Sequence, residues 1–233
     1  MLTMAITVLV VSGALMIGAA WGIYGRLRPG LEGFLIAMAG GALLVSLVTE
    51  LVEPSIEESA LPVALAALAA GAIVFALVDY WIDEKIGADS GGGLLAAITL
   101  DGVPENLALG VALIGAGAPE VAALAGSIFL SNLPEAAGGA REMKEGRSKA
   151  AVLGLWAATA ALLSAAAIVG NLLLVGASPH LLATIRCFAA GAVVASLATE
   201  VFPKAYKEDR NWAGIATALG VVLAFALDAL GGG

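Results

Sequence analysis

Eight stretches of almost uninterrupted apolar residues follow one another along the chain, at about Thr3–Tyr24, Leu31–Val52, Leu61–Ile82, Gly93–Gly115, Glu120–Ala140, Lys149–Val175, Leu181–Phe202 and Trp212–Leu230. Each reaches the roughly 20 residues that an α-helix needs to cross the hydrocarbon core of a bilayer. The pattern predicts an all-α integral membrane protein with eight transmembrane helices, forming a single transmembrane domain over residues 1–233. The polar connections are short. The longest lie around Asp83–Gly92 and Arg141–Lys149, and the first runs into a flexible Ser-Gly-Gly-Gly segment.

The pattern also repeats. Ala39–Glu50 (AGGALLVSLVTE) aligns with Ala189–Glu200 (AAGAVVASLATE) at 7 of 12 positions with an offset of 150, and the same offset lays Phe75-Ala-Leu77 on Phe225-Ala-Leu227. Polar Ser-x-x-Thr-Glu inside both apolar stretches favours duplication over chance similarity. Helices 1–3 (residues 1–83) then duplicate helices 6–8 (149–230), with helices 4 and 5 (93–141) between them. An odd repeat unit separated by an even pair makes the second copy enter the membrane from the opposite side. The expected architecture is therefore a 3+2+3 inverted repeat, the plan of transporters that work by alternating access.

Polar residues at membrane depth identify the candidate chemistry. Asp101-Gly-Val-Pro104-Glu105-Asn106 and Ser131-Asn132-Leu-Pro134-Glu135 lie within the fourth and fifth stretches. A carboxylate at the bilayer centre costs at least about 2.5–3.5 kcal/mol on insertion scales, so it persists where something compensates it. Proline removes one backbone donor, freeing the carbonyl four residues earlier, here Leu100 and Leu130. Asp101 and Glu105 share a helix face, as do Ser131 and Glu135, with Asn132 on an adjacent line. The two helices can present Asp101, Glu105, Asn132 and Glu135 toward one point. Three carboxylates there repel unless protonated or neutralised by a cation, and a divalent metal is the simplest neutraliser.

Composition agrees with the pattern. Hydrophobic residues make up 61% of the chain and charged residues 13%, with a mean hydropathy of +0.99, against about 25% charged in soluble domains. Arg26, Arg28, Lys85, Arg141, Lys144, Arg147, Lys149, Lys204, Lys207 and Arg210 all fall on one side of an eight-span topology. By the positive-inside rule that side is cytoplasmic and both termini face outward. The first apolar stretch lacks a basic leading segment and reads as a retained helix. Glu53, Glu57, Glu58 and Glu120 then mark the outer face as solvated carboxylates. The net charge of −8 offers nothing to nucleic acid. Cys187 and His180 are the only residues of their kinds, which excludes an internal disulfide and a histidine-rich metal cluster. Arg186, within the seventh stretch, needs a carboxylate partner, for which Glu50, Glu53 and Asp228 are candidates. No nucleophile with a nearby base is in evidence, so an enzyme is not expected.

With these motifs in place the chain resembles the ZIP metal transporters. DGVPENLALG (Asp101–Gly110) is similar to the family's fourth-helix signature HNxPEGLAxG, and Ser131–Glu135 to its fifth-helix HNxPE. The eight helices, outward termini and inverted organisation match as well, and so do Glu50 before Pro54 and Glu200 before Pro203. The resemblance implies divalent metal transport toward the cytoplasm through a site between helices 4 and 5, and a homodimer. It carries the metal role onto Glu105, Asn132 and Glu135, with Glu50 and Glu200 as flanking ligands or pathway residues. Asp101 and Ser131 stand where the family has histidine, Gly102 where it has Asn, and Asn106 where it has Gly. A set of Asp101, Glu105, Asn106, Ser131, Asn132 and Glu135 is all-oxygen and suits harder ions such as Mn²⁺, Mg²⁺ or Ca²⁺ better than a typical zinc site does. The expected function is ZIP-type transport of a divalent cation in the cell membrane, zinc by the family's default and manganese, iron, cadmium or harder ions as further cargo, with the metal as cargo and no prosthetic group. A proton-coupled cation antiporter and a metal sensor or non-transporting scaffold are the alternatives.

Overall fold

The structure is a computed structural model that describes residues 2–86, 91–114 and 121–231; the side chains of 83, 85–86, 91–98, 101, 230 and 231 lie outside the described set. Among the described residues there is no strand. Eight long helices follow one another: α1 Leu2–Tyr24, α2 Pro29–Glu58, α3 Leu61–Ile86, α4 Gly91–Ala112, α5 Ala122–Met143, α6 Lys149–Leu174, α7 Pro179–Glu208 and α8 Ala213–Gly231. Five of them, α1, α2, α3, α6 and α7, are long and apolar enough to cross a membrane. α5 is interrupted by Ser127, Ser131, Asn132 and Glu135, and α8 is shorter over its apolar part, Ala213–Ala229.

Local chemistry sets the helix starts. Ser148 and Ser178 accept hydrogen bonds from the backbone N–H groups of Ala151 and Leu181, capping α6 and α7. Pro29 and Pro179 occupy first-turn positions, where a missing N–H is harmless. After α6, Gly176 adopts φ +85°, the left-handed turn that favours glycine. Gly91 and Gly92, expected in a linker, instead open α4 ahead of Gly93; first-turn N–H groups have no helical acceptor to lose.

The prolines of α2 and α7 do not end these helices where the apolar pattern fades. Each helix runs for 30 residues, passing through a five-residue π-helical segment, Val48–Val52 in α2 and Leu197–Val201 in α7. Pro54 and Pro203 follow at the start of the next α-helical turn. Proline cannot donate to the carbonyl four residues back, and the wider π turn absorbs the mismatch. Glu50 and Glu200 lie within the two π segments, so they are mid-helix residues, not terminal ones. Glu53, Glu57 and Glu58, read as loop carboxylates, are likewise helical and exposed. Glu120 lies outside the described residues.

The helices pack in two groups. α1 packs on α5 and α6, and α4 on α6; α2 packs on α8, α3 on α7, and α2 and α7 meet near their ends. The groups join along two main seams, α2 with α5 and α4 with α7. Cβ-less positions permit the closest approaches. Gly41 of α2 lies against the Thr217 carbonyl of α8, and Gly191 of α7 against the Leu68 carbonyl of α3. Gly18 and Gly22 of α1 lie against the Leu133 and Ala137 carbonyls of α5, and Gly110 of α4 against the Ala167 carbonyl of α6. α3 turns most of its apolar surface outward: only 22% of its most apolar window is buried, against 61% for α7. Leu65, Ile73, Leu77 and Trp81 are all exposed. Such helices mark a membrane protein, because a helix apolar all round and uncovered by protein calls for an apolar solvent.

Candidate functional site between two apolar clusters

Two apolar clusters divide the first helix group along its length. One gathers Val8 and Val11 of α1, Ala108 and Leu109 of α4, Leu124 and Ile128 of α5 and Ala167 of α6, together with Leu43, Leu47, Val193 and Leu197 of α2 and α7. The other gathers Leu15 and Ala19 of α1, Ala136 and Ala140 of α5, and Trp156, Ala160 and Leu163 of α6, with Val103 of α4 against it. Between them every one of the four helices changes character. α1 contributes Ser12, α4 Glu105 and Asn106, α5 Ser131 and Asn132, and α6 Ser164. Glu105, Asn106, Ser131 and Asn132 are 6%, 0%, 6% and 2% exposed. The proline motifs therefore lie in a buried polar layer with apolar packing on either side.

Hydrogen bonds fix much of that layer. The Ser12 and Ser164 hydroxyls are 2.6 Å apart, tying α1 to α6. Asn132 Nδ2 donates to the Val11 carbonyl at 3.3 Å, tying α5 to α1. Asn106 Nδ2 donates to the Gly102 carbonyl at 2.9 Å, one turn back on α4. Its Oδ1 is buried and has no partner among the described residues. A buried acceptor left in that state costs about 1–3 kcal/mol. Gly102 faces Leu163 of α6, where any Cβ would collide, so the backbone before Pro104 sits hard against the neighbouring helix.

The other expected site residues are placed as follows. Glu135 is half-buried, one turn beyond Ser131 on α5. Glu50 and Glu200 are half-buried in their π segments, whose own Leu51, Leu197 and Val201 belong to the first apolar cluster or its margin. The Asp101 side chain lies outside the described residues. Among the described residues no three His, Cys, Asp or Glu side chains are grouped so as to hold a metal ion. What the structure brings together is a mixed set, one carboxylate with two amides and hydroxyls, in which Asn106 and Ser131 are as central as Glu105.

Arg186 finds a partner the sequence did not single out. Its Nη1 donates to Glu58 Oε2 at 3.3 Å, joining the start of α7 to the end of α2. Glu50, Glu53 and Asp228 had been the candidates; continuation of α2 past Pro54 carries Glu58 to Arg186. A second buried charge is Glu32 near the start of α2, which in the sequence alone reads as an interfacial residue, a single acid beside a basic end. It is fully buried, with Arg141 Nη1 at 2.9 Å and Lys204 Nζ at 3.9 Å. The hint available in the sequence was that Glu32 is the only acid in the first two turns of an apolar stretch. No protein-family model matches the chain, and no curated protein matches it.

Proposed function

We propose that the protein is a ZIP-type membrane transporter that moves a divalent metal cation toward the cytoplasm through the polar layer of α4 and α5. The observation that carries this reading is the burial of Glu105, Asn106, Ser131 and Asn132 between two apolar clusters. Intramembrane polar groups of this kind mark substrate and ion pathways. Asp101, Glu105, Asn132 and Glu135 take the ion, with Asn106 Oδ1 and Ser131 as further oxygen donors. Glu50 and Glu200 act as flanking ligands or receive protons as it passes. The all-oxygen set directs the choice of cargo toward harder divalent ions such as Mn²⁺.

The 3+2+3 inverted repeat belongs to the same proposal, and several features support it. At the offset of 150, α2 and α7 share their bounds, and each carries a five-residue π segment, the second one residue earlier in register. Under the exchange of helices 1–3 with 6–8 and of 4 with 5, α1·α5 becomes α6·α4, α2·α8 becomes α7·α3, and the seam α2·α5 becomes α7·α4. All of these contacts occur. Both termini would face outward, with Arg141, Lys144, Lys204 and Lys207 at the cytoplasmic end, in the cell membrane and in a homodimer.

The test is uptake of Mn²⁺, Fe²⁺, Zn²⁺, Cd²⁺ and Mg²⁺ into proteoliposomes, with internal pH recorded. Flux should fall at least about 10–100-fold in Glu105→Ala, since even groups that merely orient metal ligands are worth that much. Flux that strictly requires an opposed proton gradient would reassign the protein as an antiporter. Metal binding without flux of any ion would make it a sensor.

A further inference from the structure

Glu32 is the most deeply buried carboxylate among the described residues, 0% exposed, and it lies in the first turn of α2. It faces across the α2–α5 seam. Arg141 Nη1 of α5 is 2.9 Å from its Oε2, and Lys204 Nζ of α7, on its own side of the seam, is 3.9 Å from its Oε1. Gly138 of α5 leaves the space its carboxylate fills: a Cβ there would collide with Oε1. Arg141 also donates to the Leu27 carbonyl at 3.3 Å, and Lys144, one turn on, to the Gly22 carbonyl at 2.8 Å. The end of α5 is thus bound to α1 in its own group and to Glu32 in the other.

Packing alone does not require a charge here. At the offset of 150, Glu32 corresponds to Leu182 of α7, which is also buried, so the corresponding turn of α7 carries no charge. Buried ion pairs are frequently no more stabilising than apolar residues of similar volume. Despite the short Arg141 contact, neither Glu32 oxygen accepts an aligned hydrogen bond among the described residues. The contact with Arg141 is an ion pair at 2.9 Å, and that with Lys204 a looser one at 3.9 Å.

We propose that Glu32 and Arg141, with Lys204 in support, form an ionic latch that holds the two helix groups together at the basic end and opens when cargo leaves on that side. The role in cargo release rests on the transport reading; the latch itself does not. Opening separates Arg141 from Glu32 while Lys204, on the same helix group as Glu32, stays beside the carboxylate and keeps it neutralised. That arrangement explains why two cations attend one acid.

A thiol placed in the seam reads the latch without any transport. Residues 32, 39 and 46 are seven apart and share a face of α2; Glu32 and Ser46 both touch α5, the latter through Ser127 at 2.9 Å. Ala39 between them is fully buried. With Cys187→Ala removing the only cysteine, the Ala39→Cys protein in detergent should react slowly with a maleimide. Glu32→Gln and Arg141→Gln should each speed labelling about tenfold. Lys204→Gln should have a smaller effect. A thiol at Ala189, the counterpart of Ala39, should be unaffected by these changes. Unchanged labelling at residue 39 in well-folded Glu32→Gln and Arg141→Gln proteins would overturn the latch, as would equal acceleration at residue 189. Absence of metal flux in the wild type would remove the transport reading and leave the labelling result standing.

Discussion

Asn106 shows how a single side chain can be costly in isolation and useful in context. Its amide is anchored by Nδ2 on the Gly102 carbonyl, so Oδ1 is held in a fixed direction with no partner among the described residues. Exchange for an apolar residue of similar size removes the orphaned acceptor, and such a replacement is nearly neutral or stabilising. Asn106→Leu should therefore raise the melting temperature of the metal-free protein by about 2–4 °C for each kcal/mol recovered. It should also abolish most of the further rise that Mn²⁺ gives the wild type. Thermal denaturation in detergent with and without Mn²⁺ checks both halves; a variant that loses stability without metal would assign Asn106 to packing. At this scale the sequence was legible where a polar residue interrupts an apolar run beside a proline. Glu32 and the Glu58–Arg186 pair were not legible, because their meaning depends on partners from distant helices, and no local pattern names those.

The two π segments are the element-scale counterpart. From the sequence, Pro54 and Pro203 read as helix ends, since proline cannot continue an α-helical ladder. The chain instead widens by one residue upstream and resumes its α-helix with the proline in the first turn, where the lost N–H has no consequence. One residue of extra register corresponds to a rotation of about 100° about the helix axis. Pro54→Ala returns the donor for the Glu50 carbonyl and lets Val48–Val52 relax to α-helix, turning Glu50 relative to the rest of α2. Uptake in proteoliposomes should fall severalfold in Pro54→Ala while the melting temperature stays within a few degrees of wild type. Full activity would show that the placement of Glu50 does not matter to transport. The eight helices themselves were legible because length and apolarity are summed over about 20 residues, whereas a π turn is decided by one missing hydrogen-bond donor.

For the molecule as a whole, the proposed duplication has a consequence that needs no cargo. Gly41 and Gly191, related by the offset of 150, each admit a backbone carbonyl that a Cβ would strike, Thr217 of α8 for the first and Leu68 of α3 for the second. The α2–α8 and α7–α3 contacts are then two uses of one packing solution, facing opposite ways. Gly41→Val and Gly191→Val should each destabilise the protein, and by similar amounts, since overpacking typically costs about 1–3 kcal/mol. Because the two contacts share no side chains, the double variant should show the sum of the single effects to within about 0.5 kcal/mol. Denaturation of the three variants measures this directly. Markedly unequal losses would mean that the repeated sequence no longer performs the same structural task in the two halves. Equal and additive losses would show that the two glycine contacts carry the same load, which leaves the Glu32 ion pairs, with apolar Leu182 at the corresponding position, as a difference between the two repeats.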